Sequence, residues 1–195
     1  YICGLRMELV KRALIALVVM FPVIWFFVLH SYQKMRILVL FNPSVDPYGS
    51  GYHVIQSKIS IGSGGFLGQG LFEGTQSQLN FLPENHTDFI FSVIGEELGF
   101  IGAIFVIFLY FVLLYRTIMI SRSSGDSFGS LLACGIFSMW LFQVFINVGM
   151  TLGIMPVTGI PLPFMSYGGS ALVMNLLCVG ILMNIYLRRK KLMFD

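Results

Sequence analysis

At 195 residues, 56% of them hydrophobic and only 11% charged, with a mean hydropathy of +0.84, the chain is far more apolar than a soluble domain, which runs at about 45–50% apolar and about 25% charged. The net charge of +3 comes with no basic groove interleaved with aromatics, so it speaks for membrane topology and anionic headgroups and against a nucleic-acid partner. Cys3, Cys134 and Cys178 are odd in number and widely spaced, which excludes a disulfide framework and a zinc pattern and leaves them as small apolar fillers.

A bilayer-spanning helix needs about 20 apolar residues. Four charge-free stretches meet or approach that length: 13–29, 98–115, 128–150 and 171–187. Their length and lack of alternation favour helices over barrel strands. The sequence therefore predicts an all-α polytopic membrane protein, a single membrane domain over 1–195 with four transmembrane helices. No small-residue cleavage pattern follows the first run, so it reads as a span and not a signal peptide. The start at Tyr1 in place of Met leads us to expect a preceding N-terminal portion.

Nine of the twelve basic residues (Arg6, Lys11, Arg12, Arg116, Arg122 and Arg188, Arg189, Lys190, Lys191) flank the spans on one side. By the positive-inside rule that side is cytoplasmic. Both ends of the chain are then inside, and two loops, 30–97 and 151–170, face outward.

The first outer loop is far longer than the usual connection of about 4–6 residues. Within it, 32–41 is an amphipathic or apolar stretch, 42–51 a turn cluster, and HVIQSKISI at 53–61 a short helix on the membrane surface. IGSGGFLGQG at 61–70 carries five glycines, which allow positive φ and close approach to a ligand. No Lys-Ser/Thr follows, so it is no nucleotide P-loop. The second outer loop includes PVTGIPLPFMSYGGSA at 156–171, with three prolines and three glycines, a broken backbone of the kind tolerated where protein or a water-filled cavity surrounds it.

FLPENHTDFIFSVIGEELGF, 81–100, gathers Glu84, His86, Asp88, Glu96 and Glu97 against an apolar run. Thr87 or Asp88 could cap the following helix, where an oxygen acceptor satisfies orphan N–H groups. Asp88 is also the strongest candidate for a general base, and the two roles coexist only at the expense of basicity. Glu96 and Glu97 read first as interfacial anchors reaching water. His86 reads as a solvated loop residue that could hold a hydroxyl or a phosphate.

Lys34, Arg36 and Lys58 are the outer-face cations, with Lys58 beside the glycine run placed best for an anionic ligand and headgroup snorkelling as the alternative. In the spans, Gln143 and Asn147 share a helix face, and with Asn175 and Asn184 they read as interhelical hydrogen-bonding amides. An outer-face site has no access to nucleotide-activated donors. It would need a lipid-linked donor, a cation for its phosphates and a carboxylate for the attacking hydroxyl.

GTQSQLNFLPENHTDFIFSVIGEELGFIG at 74–102, with YHVIQSKISIGSGGFLGQG before it and GIPLPFMSYGGSALV after it, resembles the SEDS family of cell-wall polymerases, and within it the branch serving rod-shape elongation. The resemblance covers nearly the whole chain, which is similar to roughly the C-terminal half of a ten-span protein. It implies a peptidoglycan glycosyltransferase that polymerises lipid II on the outer face of the bacterial cytoplasmic membrane. Asp88, in the HTDF motif, matches the family's essential aspartate and would deprotonate the acceptor hydroxyl as undecaprenyl diphosphate leaves. Lys58, Gln76, His86, Ser166 and Ser170 are expected near the substrate. A class B penicillin-binding protein is the implied partner, alongside membrane lipids.

No cofactor is firmly implied, and a divalent cation on the diphosphate stays open. Two other readings also stay open: a flippase for the same lipid-linked precursor, and a non-catalytic scaffold whose Gly99, Gly102 and Ala103 meet a partner helix. If the spans before these four belong to the working protein, this chain alone is expected to be inactive.

Overall fold

The computed structural model describes residues 30–47, 49–79, 81 and 86–188, together with 11 and 20. The expected first span, apart from residue 20, lies outside these residues, as do Cys3 and Glu84. Among the described residues seven α-helices and a short 3-10 turn, Pro43–Val45, follow one another: α1 Ser31–Phe41, α2 Ser50–Gly64, α3 Thr75–Gln78, α4 Ile90–Glu97, α5 Gly99–Ser123, α6 Ser127–Thr151 and α7 Gly169–Leu187. Among the described residues there is no strand.

Three of these helices, α5, α6 and α7, are long and apolar enough to cross a membrane. At about 1.5 Å per residue, 25 residues reach about 37 Å, beyond the hydrocarbon thickness of about 30 Å. The excess on α5 corrects one boundary. The expected span ended at residue 115, whereas the helix runs on to Ser123 and carries Arg116 and Arg122 in its last turns. Hydropathy falls at the first charge, but helical hydrogen bonding continues until Ser124 turns extended. Between α5 and α6 only three residues remain, and the Asp126 side chain accepts from the Gly129 N–H at 3.0 Å to cap α6.

The long segment before α5 is largely helical. Residues 32–41 fall within α1, and the helix expected over 53–61 becomes the 15-residue α2, which takes in Gly62 and Gly64. One face of α2 is buried, through Val54, Ser57, Ser60 and Gly64, so it packs into the protein as well as meeting its surroundings. Backbone freedom is used at Gly65, Gly68 and Gly70, all with positive φ. The close approach these glycines permit is to the chain itself: a Cβ on Gly68 would overlap the Glu97 carbonyl, and one on Gly99 would overlap Gly68 N. The glycine loop is thus a packing device for the α4–α5 junction.

Three apolar clusters join these parts. Ala133, Ile136, Trp140 and Leu182 unite α6 and α7, where the Trp140 indole N–H donates to Asn175 Oδ1 at 2.8 Å, the interhelical amide contact expected of Asn175. Phe91, Ile94, Val106, Tyr110 and Leu162 unite α4, α5 and the loop between α6 and α7. Val39, Val54, Phe89, Met150 and Val157 come from five separate segments. That last cluster underlies the candidate site.

Candidate active site

The helix-capping position of α4 falls on Phe89, so neither Thr87 nor Asp88 occupies it. Phe89 is 2% exposed and stacks on the His53 ring with centroids 5.9 Å apart. Burial of its neighbour leaves Asp88 half-buried at the rim of a cavity of ≈640 Å³, together with Tyr32 and Arg36 of α1, Asp46, and His53 of α2. Two carboxylates, one guanidinium and one imidazole thus line a shared space. Asp46 is already engaged, accepting the Ser50 N–H at 2.9 Å and the Ser50 hydroxyl at 3.1 Å.

The loop between α6 and α7 closes over this turn. Gly159 has φ +73, and a Cβ built on it would lie 3.2 Å from Asp88 Oδ2, so the loop backbone runs directly past the carboxylate. Tyr167 N–H donates to His86 O at 2.9 Å, and the Ser166 hydroxyl donates to Thr87 O at 2.6 Å while accepting the Leu162 N–H at 2.7 Å. From beneath, the fully buried Asn147 of α6 donates through Nδ2 to Asp88 O at 2.9 Å and to Ile160 O at 2.8 Å. Its amide was expected to bridge helices. It binds loop backbone instead.

The remaining sequence candidates are spread out. His86 is exposed and borders a separate pocket with Ile90, Met165 and Tyr167. Ser170 is exposed in the first turn of α7. Lys58 lies so close to Gly153 that a Cβ there would overlap its side chain, which sets its ammonium at the C-terminal end of α6, where the helix dipole favours a cation. Gln76 gives its backbone N–H to Glu96, and its own Oε1 is buried with no hydrogen-bond partner among the described residues.

Glu96 departs furthest from expectation. It was read as an anchor reaching water, yet it is 0% exposed. Its Oε1 accepts the Gln76 N–H at 2.7 Å, and its Oε2 accepts the Ser77 N–H at 3.1 Å and the Ser60 hydroxyl at 2.9 Å. Gly74 at the N-cap of α3 has no side chain of its own. The Glu96 carboxylate fills the capping place from 22 positions along the chain, since Gly74 would direct a Cβ at its Cδ 2.9 Å away. Glu97 beside it is half-buried. Among the described residues no group of three or more His, Cys, Asp or Glu side chains is arranged to hold a metal ion.

The sequence model of the FtsW, RodA and SpoVE cell cycle proteins matches residues 1–191. The chain belongs to this family. It is the SEDS family to which the motifs around HTDF pointed. Among relatives of the SEDS chain, the peptidoglycan glycosyltransferase MrdB of Escherichia coli K12 is 47% identical over 192 residues, which cover 98% of this chain and 52% of that protein. The peptidoglycan glycosyltransferase RodA of Treponema pallidum is 49% identical over 162 residues, covering 83% and 37%.

Stage V sporulation protein E of Bacillus subtilis is 49% identical over 154 residues, covering 79% and 42%. A solved structure described as a peptidoglycan synthase complex that coordinates polymerization and crosslinking superposes with a TM-score of 0.70 at 31% identity, covering 95% of this chain and 49% of that one. The chain therefore spans about half the length of the relatives it matches.

Proposed function

We propose that this SEDS protein is a peptidoglycan glycosyltransferase that polymerises lipid II during elongation of the cell wall, with Asp88 as the general base. The observation that carries the reading is the cavity lined together by Asp88, Arg36 and His53, with the buried Phe89 and Val157 as its apolar wall. A glycosyl donor tethered to a polyprenyl diphosphate places its tail against lipid and its charge at the membrane surface. Arg36 suits that charge, because a guanidinium binds phosphate oxygens bidentately.

In the reaction Asp88 takes the proton of the acceptor sugar hydroxyl as its oxygen attacks the anomeric carbon of the donor. The bond from that carbon to the diphosphate oxygen breaks with inversion, and undecaprenyl diphosphate carries away the electron pair. Holding hydroxyl and anomeric carbon in line supplies much of the acceleration. Arg36 neutralises charge developing on the leaving group.

The reading extends to topology and partner. Both ends of the chain are cytoplasmic, the cavity faces outward, and a class B penicillin-binding protein cross-links the product strand. The test is to reconstitute the protein at its full natural length with that partner in proteoliposomes, supply fluorescent lipid II, and resolve glycan strands on a gel. Strands support the reading. Transfer of lipid II between leaflets with no strand formation would replace it with a flippase.

A further inference from the structure

Three successive backbone carbonyls in the turn before α4 each receive a hydrogen bond from a different residue. Tyr167 N–H holds His86 O, the Ser166 hydroxyl holds Thr87 O, and the Asn147 amide holds Asp88 O. The helix's own donors, the N–H groups of Ser92 and Val93, begin with Phe89 O, so outside groups direct these three carbonyls.

Thr87 O and Asp88 O belong to the two peptide planes on either side of the Asp88 Cα. Because each peptide unit is rigid, fixing both planes fixes φ and ψ at Asp88, and with them the direction of its Cα–Cβ bond. Asn147 does more with its second N–H. It holds Ile160 O at 2.8 Å, the residue after Gly159, whose backbone passes the Asp88 carboxylate. One amide therefore sets both the base and the strand of loop lying over it.

Asn147 is suited to this by its mounting. It is 0% exposed and sits one turn from the end of the 25-residue α6, far stiffer than the loops it holds. Its orientation is also fixed chemically. Reversing the amide would set Oδ1 against two carbonyl oxygens, and Oδ1 as placed has no hydrogen-bond partner among the described residues.

We propose that Asn147 and Ser166 are positioning residues, which clamp the two peptide planes flanking Asp88 and so aim its carboxylate into the cavity shared with Arg36 and His53. The proposal rests on Asp88 being the base. It also gives Ser166 a role different from the substrate contact expected from sequence, because its one O–H donor is committed to Thr87 O and its oxygen already accepts the Leu162 N–H.

The experiment uses the full-length protein with its class B partner in proteoliposomes, and compares lipid II polymerisation by wild type, Asp88→Asn, Asn147→Leu, Ser166→Ala and Ser166→Thr, each normalised to the folded fraction that co-purifies with the partner. A misaimed base lowers kcat by about 10- to 100-fold in Asn147→Leu and Ser166→Ala, with KM for lipid II changed less than about threefold. Ser166→Thr keeps the hydroxyl donor and restores kcat to within about threefold of wild type. A merely structural role would not produce that rescue.

If Ser166→Ala and Ser166→Thr fall equally, or Asn147→Leu and Ser166→Ala both polymerise at the wild-type rate while Asp88→Asn is inactive, the clamp is overturned and the base assignment stands. If Asp88→Asn itself polymerises at the wild-type rate, the base assignment is what fails. Should Asn147→Leu not fold, the Ser166 pair decides alone.

Discussion

Removing the Glu96 carboxylate should unfold the segment before α5 at lower denaturant while leaving the spans helical. In Glu96→Ala two backbone donors, Gln76 N–H and Ser77 N–H, lose their acceptor. Ser60 keeps an alternative, because its hydroxyl also lies 3.3 Å from Ser92 O. An N-terminal cap contributes about 0.5–2 kcal/mol, and each buried donor left unmet costs about 1–3 kcal/mol. Since the two donors are the cap, these figures overlap, and the loss with the cavity included comes to about 3–4 kcal/mol.

Glu96→Gln keeps the shape and one acceptor oxygen. Its amide nitrogen would face either Gln76 N–H or Ser77 N–H, so it forfeits one of the two bonds, about 1–2 kcal/mol. Equilibrium unfolding in mixed micelles measures both, with the slope checked for constancy. A Glu96→Ala protein within about 0.5 kcal/mol of wild type would refute the reasoning and return Glu96 to the membrane interface.

Gly159→Ala introduces a side chain at φ +73 and 3.2 Å from Asp88 Oδ2; backbone strain of about 1–2 kcal/mol and crowding of the base should lower polymerisation more than it lowers stability, as rate and unfolding measured on the same preparation will report. Arg36→Ala should raise KM for lipid II by about tenfold or more, with Arg36→Lys recovering only part of it, because a point charge replaces a bidentate fork; unchanged binding of lipid II would remove Arg36 from the site. Lys58→Ala should cost about 0.3–1 kcal/mol of stability through loss of a cation at the end of α6, read from the same unfolding curves.

The three spans α5, α6 and α7 were legible because bilayer thickness imposes a length and an absence of charge that survive without any tertiary information. The extra turns of α5 were not, since Arg116 and Arg122 end the apolar run without ending the helix. Asp88 was reached through the motif around it, and its placement beside Arg36 and His53 depends on how α1 and α2 fold back over the turn. Such long-range packing leaves no local pattern.

Glu96 and Asn147 failed to announce themselves for a related reason. Their partners are backbone groups, the N–H groups at 76 and 77 in one case and the carbonyls at 88 and 160 in the other. Sequence spacing identifies complementary side chains but is silent on which distant peptide groups need a partner. The glycine run shows the converse, because its permissiveness was readable from composition, while the surface it approaches, the Glu97–Gly99 backbone, was not.

The central claim is that the Asp88 carboxylate takes the proton in glycosyl transfer. Its most direct test is the single-turnover rate of lipid II polymerisation by full-length protein with its partner, comparing wild type with Asp88→Asn after both are shown to unfold at the same midpoint and to bind lipid II equally. The expected result is loss of about 10²–10⁴ in rate, the usual contribution of general base catalysis, with binding intact. A variant that makes glycan strands at the wild-type rate would contradict it.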